Sequence, residues 1–131
     1  MKSHLQFLSL NINGLRDDVR RRGVFCWLKQ LSFDIILLQD IRYQEGDNFV
    51  WSQEWGMAAL WSSHNAILLT NRDLSITKVD PTPDVDRLLL GKVCMEGSQG
   101  DIIVGSVYVP AERAMKRRYL SNLPGSVGSD L

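Results

Sequence analysis

The sequence predicts an α/β domain, on three observations. Two apolar stretches, residues 5–11 and 35–38, flank a segment with helical apolar spacing, the pattern of a βαβ unit. The second half carries short apolar stretches separated by turn residues, the pattern of antiparallel strands. The length of 131 residues suits one domain, and 44% hydrophobic against 23% charged residues is a globular balance.

The first strand is expected over residues 5–11, with Leu5, Phe7, Leu8 and Leu10 as its apolar side chains. Gly14 then allows a tight turn, and Asp17 or Asp18 is placed to cap a helix by accepting backbone N–H bonds. Val24, Trp27, Leu28 and Leu31 recur at i, i+3, i+4 and i+7, so this line, Trp27 included, is expected to face the core. Gly23 weakens that helix by about 1 kcal/mol relative to alanine. Residues 35–38 form a continuous apolar run, as in a strand covered on both faces and paired in parallel with the first.

Residues 41–56 read as a polar loop with room for a short helix, which Trp51 and Trp55 would pin to the core. Strands are expected next at 58–62, 66–70, 74–79, 88–95 and 102–109, at hairpin spacing, with turns at 71–73 and 96–100. Trp61 is expected in the core. A short helix is expected at about 112–123, and residues 125–131 read as a disordered tail, so the domain spans 1–124.

Fifteen basic residues balance fifteen acidic ones, so no global nucleic-acid signature is present. Arg20-Arg21-Arg22 and Lys116-Arg117-Arg118 are of the type that touches phosphates, but both read as solvated helix faces. Cys26 and Cys94 are isolated and read as two buried thiols of a reduced protein. No apolar run approaches the ~18 residues of a membrane span. The first residues hold no apolar signal-peptide core, so an intracellular location, nuclear or cytoplasmic, is expected.

Asn11 and Asp40 stand at the ends of the two N-terminal strands, where α/β proteins commonly place active sites. One carboxylate and one amide oxygen suit Mg²⁺, a hard ion that keeps several waters. Spacing alone favours the plainer alternative, in which Asn11 makes a turn bond and Asp40 caps the following segment.

Four blocks in order shift that balance: Ser-Leu-Asn-Ile-Asn-Gly-Leu-Arg, Asp-Ile-Ile-Leu-Leu-Gln-Asp, Asn-Ala-Ile-Leu-Leu and Val-Tyr-Val-Pro. Together, over residues 5–124, they resemble the endonuclease/exonuclease/phosphatase superfamily. The nearest type is the apurinic/apyrimidinic endonuclease, and within it the endonuclease of non-LTR retrotransposons. The resemblance implies the N-terminal half of a four-layer αββα sandwich, with a mixed sheet and flanking helices. It also implies a phosphodiesterase or DNA endonuclease dependent on Mg²⁺ or Mn²⁺. By the same resemblance Asn11 and Asp40 hold the metal, Tyr108 is the catalytic tyrosine beside the scissile phosphate, and Arg42 and Arg16 contact DNA.

The departures from the pattern are specific. Asp40 stands where the family has glutamate, one methylene longer, and Mg²⁺ requires contacts of ~2.1 Å. Ala111 replaces an asparagine, and His64 and Asn65 replace a glycine and a valine. The family's later Gly-Asp-Phe-Asn and Ser-Asp-His blocks, which activate or orient the attacking water, have no counterpart in the sequence. The expectation is a domain truncated before those blocks, or alternatively an inactive retroelement remnant or partner-binding fragment. In that picture each half supplies most of one sheet. An apolar sheet face is then expected to lie bare and to drive self-association.

Overall fold

The computed structural model describes residues 4–79, 87–97 and 100–109. The expected helix at 112–123 and the tail at 125–131 lie outside them. The described elements run β1 (Phe7–Asn11), α1 (Asp18–Gln30), β2 (Ile35–Gln39), α2 (Asn48–Trp55), β3 (Ala59–Trp61), β4 (Asn65–Leu69), β5 (Leu74–Lys78), β6 (Leu88–Met95) and β7 (Asp101–Val107). They form a mixed sheet ordered β1-β2-β4-β3 and an antiparallel sheet ordered β5-β6-β7. The α/β class expected from the sequence is the class observed.

The parallel pair is β1 with β2, in a register that sets Asn11 opposite Gln39. β2 then pairs antiparallel with β4, Gln39 opposite Asn65. Strands β2 and β4 are buried on both faces, which is why their sequences are unbroken apolar runs. One face carries Ile36, Leu38, Ala66 and Leu68 into a core with Phe25, Leu28, Trp51 and Trp55 of the two helices. The other face carries Ile35, Ile67 and Leu69 against Leu74, Leu89, Val93 and Val104 of the second sheet.

This layering corrects the expectation that the chain supplies one bare-faced sheet. The chain contributes strands to both sheets, and they cover each other. The 71–73 turn is therefore not a hairpin: it carries the chain from β4 in one sheet to β5 in the other. Asn71 shapes this corner, its Oδ1 accepting from the Asp73 backbone N–H at 2.9 Å and its Nδ2 donating to Asp34 at 3.2 Å. Apolar exposure moves to the opposite side of the second sheet. There Ile103 is 57% exposed, on the face it shares with Leu88, Leu90 and Val107.

At Gly91 there is no room for a side chain between the sheets. A Cβ at that position would lie 2.7 Å from Ile76 Cδ1 and 3.0 Å from Leu60 Cδ1, one contact from each sheet. The Ile76 tip can rotate away from a single methyl, but a branched side chain also pushes on Leu60. Gly91→Val is therefore expected to cost about 2 kcal/mol and Gly91→Ala less than half of that, measured by urea unfolding. Equal costs would refute the close approach.

Helix α1 starts where expected, with Asp17 Oδ2 accepting from the Arg20 N–H at 2.8 Å. Its buried line is different from the apolar stripe. Arg21, Phe25 and Leu28 face inward, and Trp27 is 48% exposed. The cause is α2, which packs beside α1. Phe25 meets the Trp55 ring edge-on at 5.4 Å, and Glu54 draws Arg21 inward. Arg21 is thus not solvated, and Arg20 donates to the carbonyls of Gly14 and Ile12 at 2.6 and 2.8 Å. Trp51 and Trp55 pin α2 as expected, and Trp61 packs half-buried against the same core.

The thiols also differ from expectation. Cys26 follows Phe25 on the outward side of α1 and is exposed, and Cys94 is half-buried. Cys94 sits on the outer face of β6 opposite Asp101. The hydrogen bond to that carboxylate, with burial second, raises the Cys94 thiol above its ordinary pKa and keeps it a poor nucleophile. Among the described residues, no helix is long and apolar enough to cross a membrane.

Candidate phosphodiester site

Three loops meet at one end of the mixed sheet, joined by main-chain bonds beyond the strands. The parallel ladder of β1 and β2 continues outward through Ile12 N–H to Gln39 O at 2.9 Å, Gly14 N–H to Asp40 O at 2.7 Å and Leu15 N–H to Ile41 O at 3.0 Å. On the other side Ile41 N–H donates to His64 O and Tyr43 N–H to Ser63 O, both at 3.1 Å. Loops 12–15, 40–43 and 62–65 thus form one hydrogen-bonded rim.

The backbone of this rim is unusual. Asn13, Asp40 and Arg42 adopt φ of 57°, 59° and 59°, and Gly14 adopts 91°. Asn and Asp tolerate the left-handed region because their short polar side chains bond locally, but an arginine there costs about 1 kcal/mol. Strain of this kind persists where surrounding contacts enforce it, and it concentrates at functional sites. Glycine at position 14 also lets the Arg42 side chain lie close, since a Cβ there would sit 3.2 Å from Arg42 Cδ.

Within the rim the side chains of Asn11, Asn13, Asp40 and Arg42 form one chain of contacts. Asn11 Oδ1 accepts from the Asn13 backbone N–H at 3.3 Å, the turn bond of the plainer reading. Asn13 Oδ1 accepts from Arg42 at 2.9 Å. Arg42 spans both oxygens of Asp40 at 3.3 Å. Asp40 does not cap the following segment. Its carboxylate is half-buried, and its guanidinium partner is exposed.

Tyr108 lies against His64, whose carbonyl accepts from the Ile41 N–H beside this cluster. The two rings stack with centroids 4.6 Å apart and an interplanar angle of 17°. Tyr108 is held by its own N–H, which donates to Arg87 O at 2.8 Å. Arg16 is engaged elsewhere: it pairs with Asp47 and lies over the Trp51 ring, 5.7 Å from its centroid. The structure therefore brings Asn11, Asp40 and Arg42 to one rim, sets Tyr108 against His64 of the adjoining turn, and ties Arg16 to the start of α2.

Beneath the rim lies a buried polar hub between the sheets. Gln39 Nε2 donates to Ser106 Oγ at 2.9 Å, and Ser106 Oγ lies 2.9 Å from Asn65 Oδ1 and 3.2 Å from Leu38 O. Asn65 Nδ2 donates to Arg87 O at 3.0 Å, the same carbonyl that holds Tyr108. Buried polar side chains must be paired, and here the pairing links β2, β4 and β7 directly behind Asp40 and Tyr108. Sequence reasoning missed this hub. Its one signal was Asn65, a polar residue opening an otherwise apolar strand, while Ser106 gave none.

The donor set suits a hard divalent ion that keeps most of its water: one carboxylate and one amide oxygen at neighbouring strand ends. Such an ion would compete with Arg42 for Asp40. Among the described residues no group of three or more His, Cys, Asp or Glu side chains stands ready to hold a metal.

No protein-family model matches the chain, and no curated protein matches it. Solved structures do. Truncated Caenorhabditis elegans TDP2 superposes with a TM-score of 0.63 at 16% identity, over 89% of this chain and 51% of that one. D. rerio TDP2, crystallised with a single-strand DNA product, gives 0.53 at 17% identity, over 95% of this chain and 58% of that one. The chain thus spans between half and three-fifths of the structures it matches. The likeness is one of fold: this chain shares the α/β architecture of those structures over most of its length.

Proposed function

We propose that the rim at the ends of β1 and β2 is one wall of a divalent-metal phosphodiesterase site that acts on DNA. The observation that carries this reading is the contact chain of Asn11, Asn13, Arg42 and Asp40 on one strained rim, with Tyr108 stacked on His64 of the adjoining turn. The fold is one that a DNA-bound TDP2 structure shares. Asn11 and Asp40 would hold Mg²⁺ or Mn²⁺, which when bound polarises a phosphoryl oxygen and stabilises the leaving group. Arg42, released from Asp40, would turn its guanidinium to the phosphate as a planar two-pronged donor. Tyr108 would orient a phosphate oxygen through its hydroxyl. Residues that activate the attacking water would come from the opposite wall.

A second reading, a DNA-binding or partner-binding role without chemistry, is favoured by one observation: Asp40 is already neutralised by Arg42. Manganese titration followed by electron paramagnetic resonance tests the metal wall. One bound Mn²⁺ per chain is expected, with affinity lowered at least about tenfold by Asp40→Ala and by Asn11→Ala, and not lowered by Arg42→Ala. Equal affinity in Asp40→Ala and the parent protein would refute the metal wall. Nicking of supercoiled plasmid in Mg²⁺, lost in the Asn11→Ala, Asp40→Ala double variant, separates catalysis from binding alone.

A further inference from the structure

The geometry points to His64 as a substrate-contacting residue that donates a ring N–H to a phosphate oxygen of single-stranded DNA, with its face resting on Tyr108. The inference rests on the phosphodiester reading above and extends it to a side chain that the resemblance does not supply. His64 stands where the resembled family carries glycine.

Position is the first argument. His64 lies in the β3–β4 turn, whose backbone is closed by Ser62 N–H to Asn65 O at 2.8 Å and by Asn65 N–H to Ser62 Oγ at 3.2 Å. The turn is also clamped to the loop carrying Asp40 and Arg42 by the two 3.1 Å bonds accepted by Ser63 and His64. A residue fixed from two sides presents its side chain at little entropic cost on binding.

Orientation is the second. Face-to-face stacking on Tyr108 at 4.6 Å consumes the ring face and leaves the ring edge, where both nitrogens lie, in the plane of the stack. Both rings are half-buried, so the pair is held by the protein and still reachable. Among the described residues no hydrogen bond to a His64 ring nitrogen is formed. The loop bonded to this turn carries Asp40 and Arg42, and the Arg87 carbonyl accepts from the Tyr108 N–H. Neutral imidazole and imidazolium both carry a ring N–H, so the contact exists in either protonation state.

The plainer role is that His64 only props Tyr108. Two substitutions separate the roles. His64→Phe keeps a stacking ring and removes the donor, while His64→Gln keeps an N–H donor and removes the stack. The probe is a fluorescein-labelled single-stranded oligodeoxythymidine of about 12 nucleotides with a 5′-phosphate, followed by anisotropy against the full chain in low salt. His64→Phe is expected to weaken binding about tenfold and His64→Gln less than about threefold. Parent-like binding by His64→Phe overturns the proposal, whether or not His64→Gln is weakened. Absence of binding by the parent chain overturns the phosphodiester reading and this inference with it. Normal parent binding with unaffected His64 variants overturns this inference alone.

Discussion

Trp55→Ala is expected to destabilise the fold by about 4 kcal/mol. The indole is fully buried, meets Phe25 edge-on at 5.4 Å, and donates Nε1–H to Leu69 O at 3.0 Å. Alanine leaves a cavity at the junction of both helices and the mixed sheet, and tryptophan-to-alanine changes in cores cost about 3–5 kcal/mol. It also removes the donor to Leu69 O at the end of β4, for about 1 kcal/mol more. Trp55→Phe keeps most of the packing and loses the bond, so about 1.5 kcal/mol is expected. With total stabilities of about 5–15 kcal/mol in ordinary domains, Trp55→Ala is expected to leave little cooperative transition in urea. A loss below about 2 kcal/mol would mean that α2 does not anchor on this indole.

The second large effect is expected at Glu54. Arg21 is 3% exposed and forms a two-pronged pair with Glu54, at 2.6 and 3.1 Å. It also donates to Leu15 O at 3.1 Å and to Asp18 at 2.8 Å, and stands over the Trp51 ring with its guanidinium carbon 5.1 Å from the centroid. The hydrogen bond to Glu54 is the main cause that raises the Arg21 pKa, so the side chain is charged at every relevant pH. Glu54→Ala strands that charge between the helices. Removing one member of a buried pair costs about 3–5 kcal/mol, and the remaining contact with Asp18 places this case at about 3. Adding Arg21→Met to Glu54→Ala removes the stranded charge and is expected to recover most of the loss. Urea unfolding of the four proteins of this double-mutant cycle measures the coupling. Purely additive losses would show that the pair is not a unit.

These two positions show how legibility divides in this chain. Trp55 and Trp51 were readable as anchors because large apolar residues spaced by four in a polar segment have one economical place to go. Arg21 was not readable. Within Arg20-Arg21-Arg22 nothing local separates the buried residue from its neighbours, because the difference is made by Glu54, 33 residues away. The same long-range contact turned α1 so that Trp27 faces outward. The β4–β5 corner was misread for a related reason: a turn sequence announces that the chain reverses, not which sheet receives it.

What the sequence by itself determined is the local and periodic part. The strand ending at Asn11, the strand running up to Asp40, a helix start at Asp17 or Asp18, the parallel β1–β2 pair and the α/β class follow from apolar spacing and backbone preferences that act over a few residues. Tertiary structure alone decided what lies face to face. It set the two sheets against each other, placed the Gln39–Ser106–Asn65 hub between them, closed Arg42 onto Asp40 and stacked His64 on Tyr108. Each of these joins residues from different elements, and burial and charge pairing select among such contacts only when the whole chain is assembled.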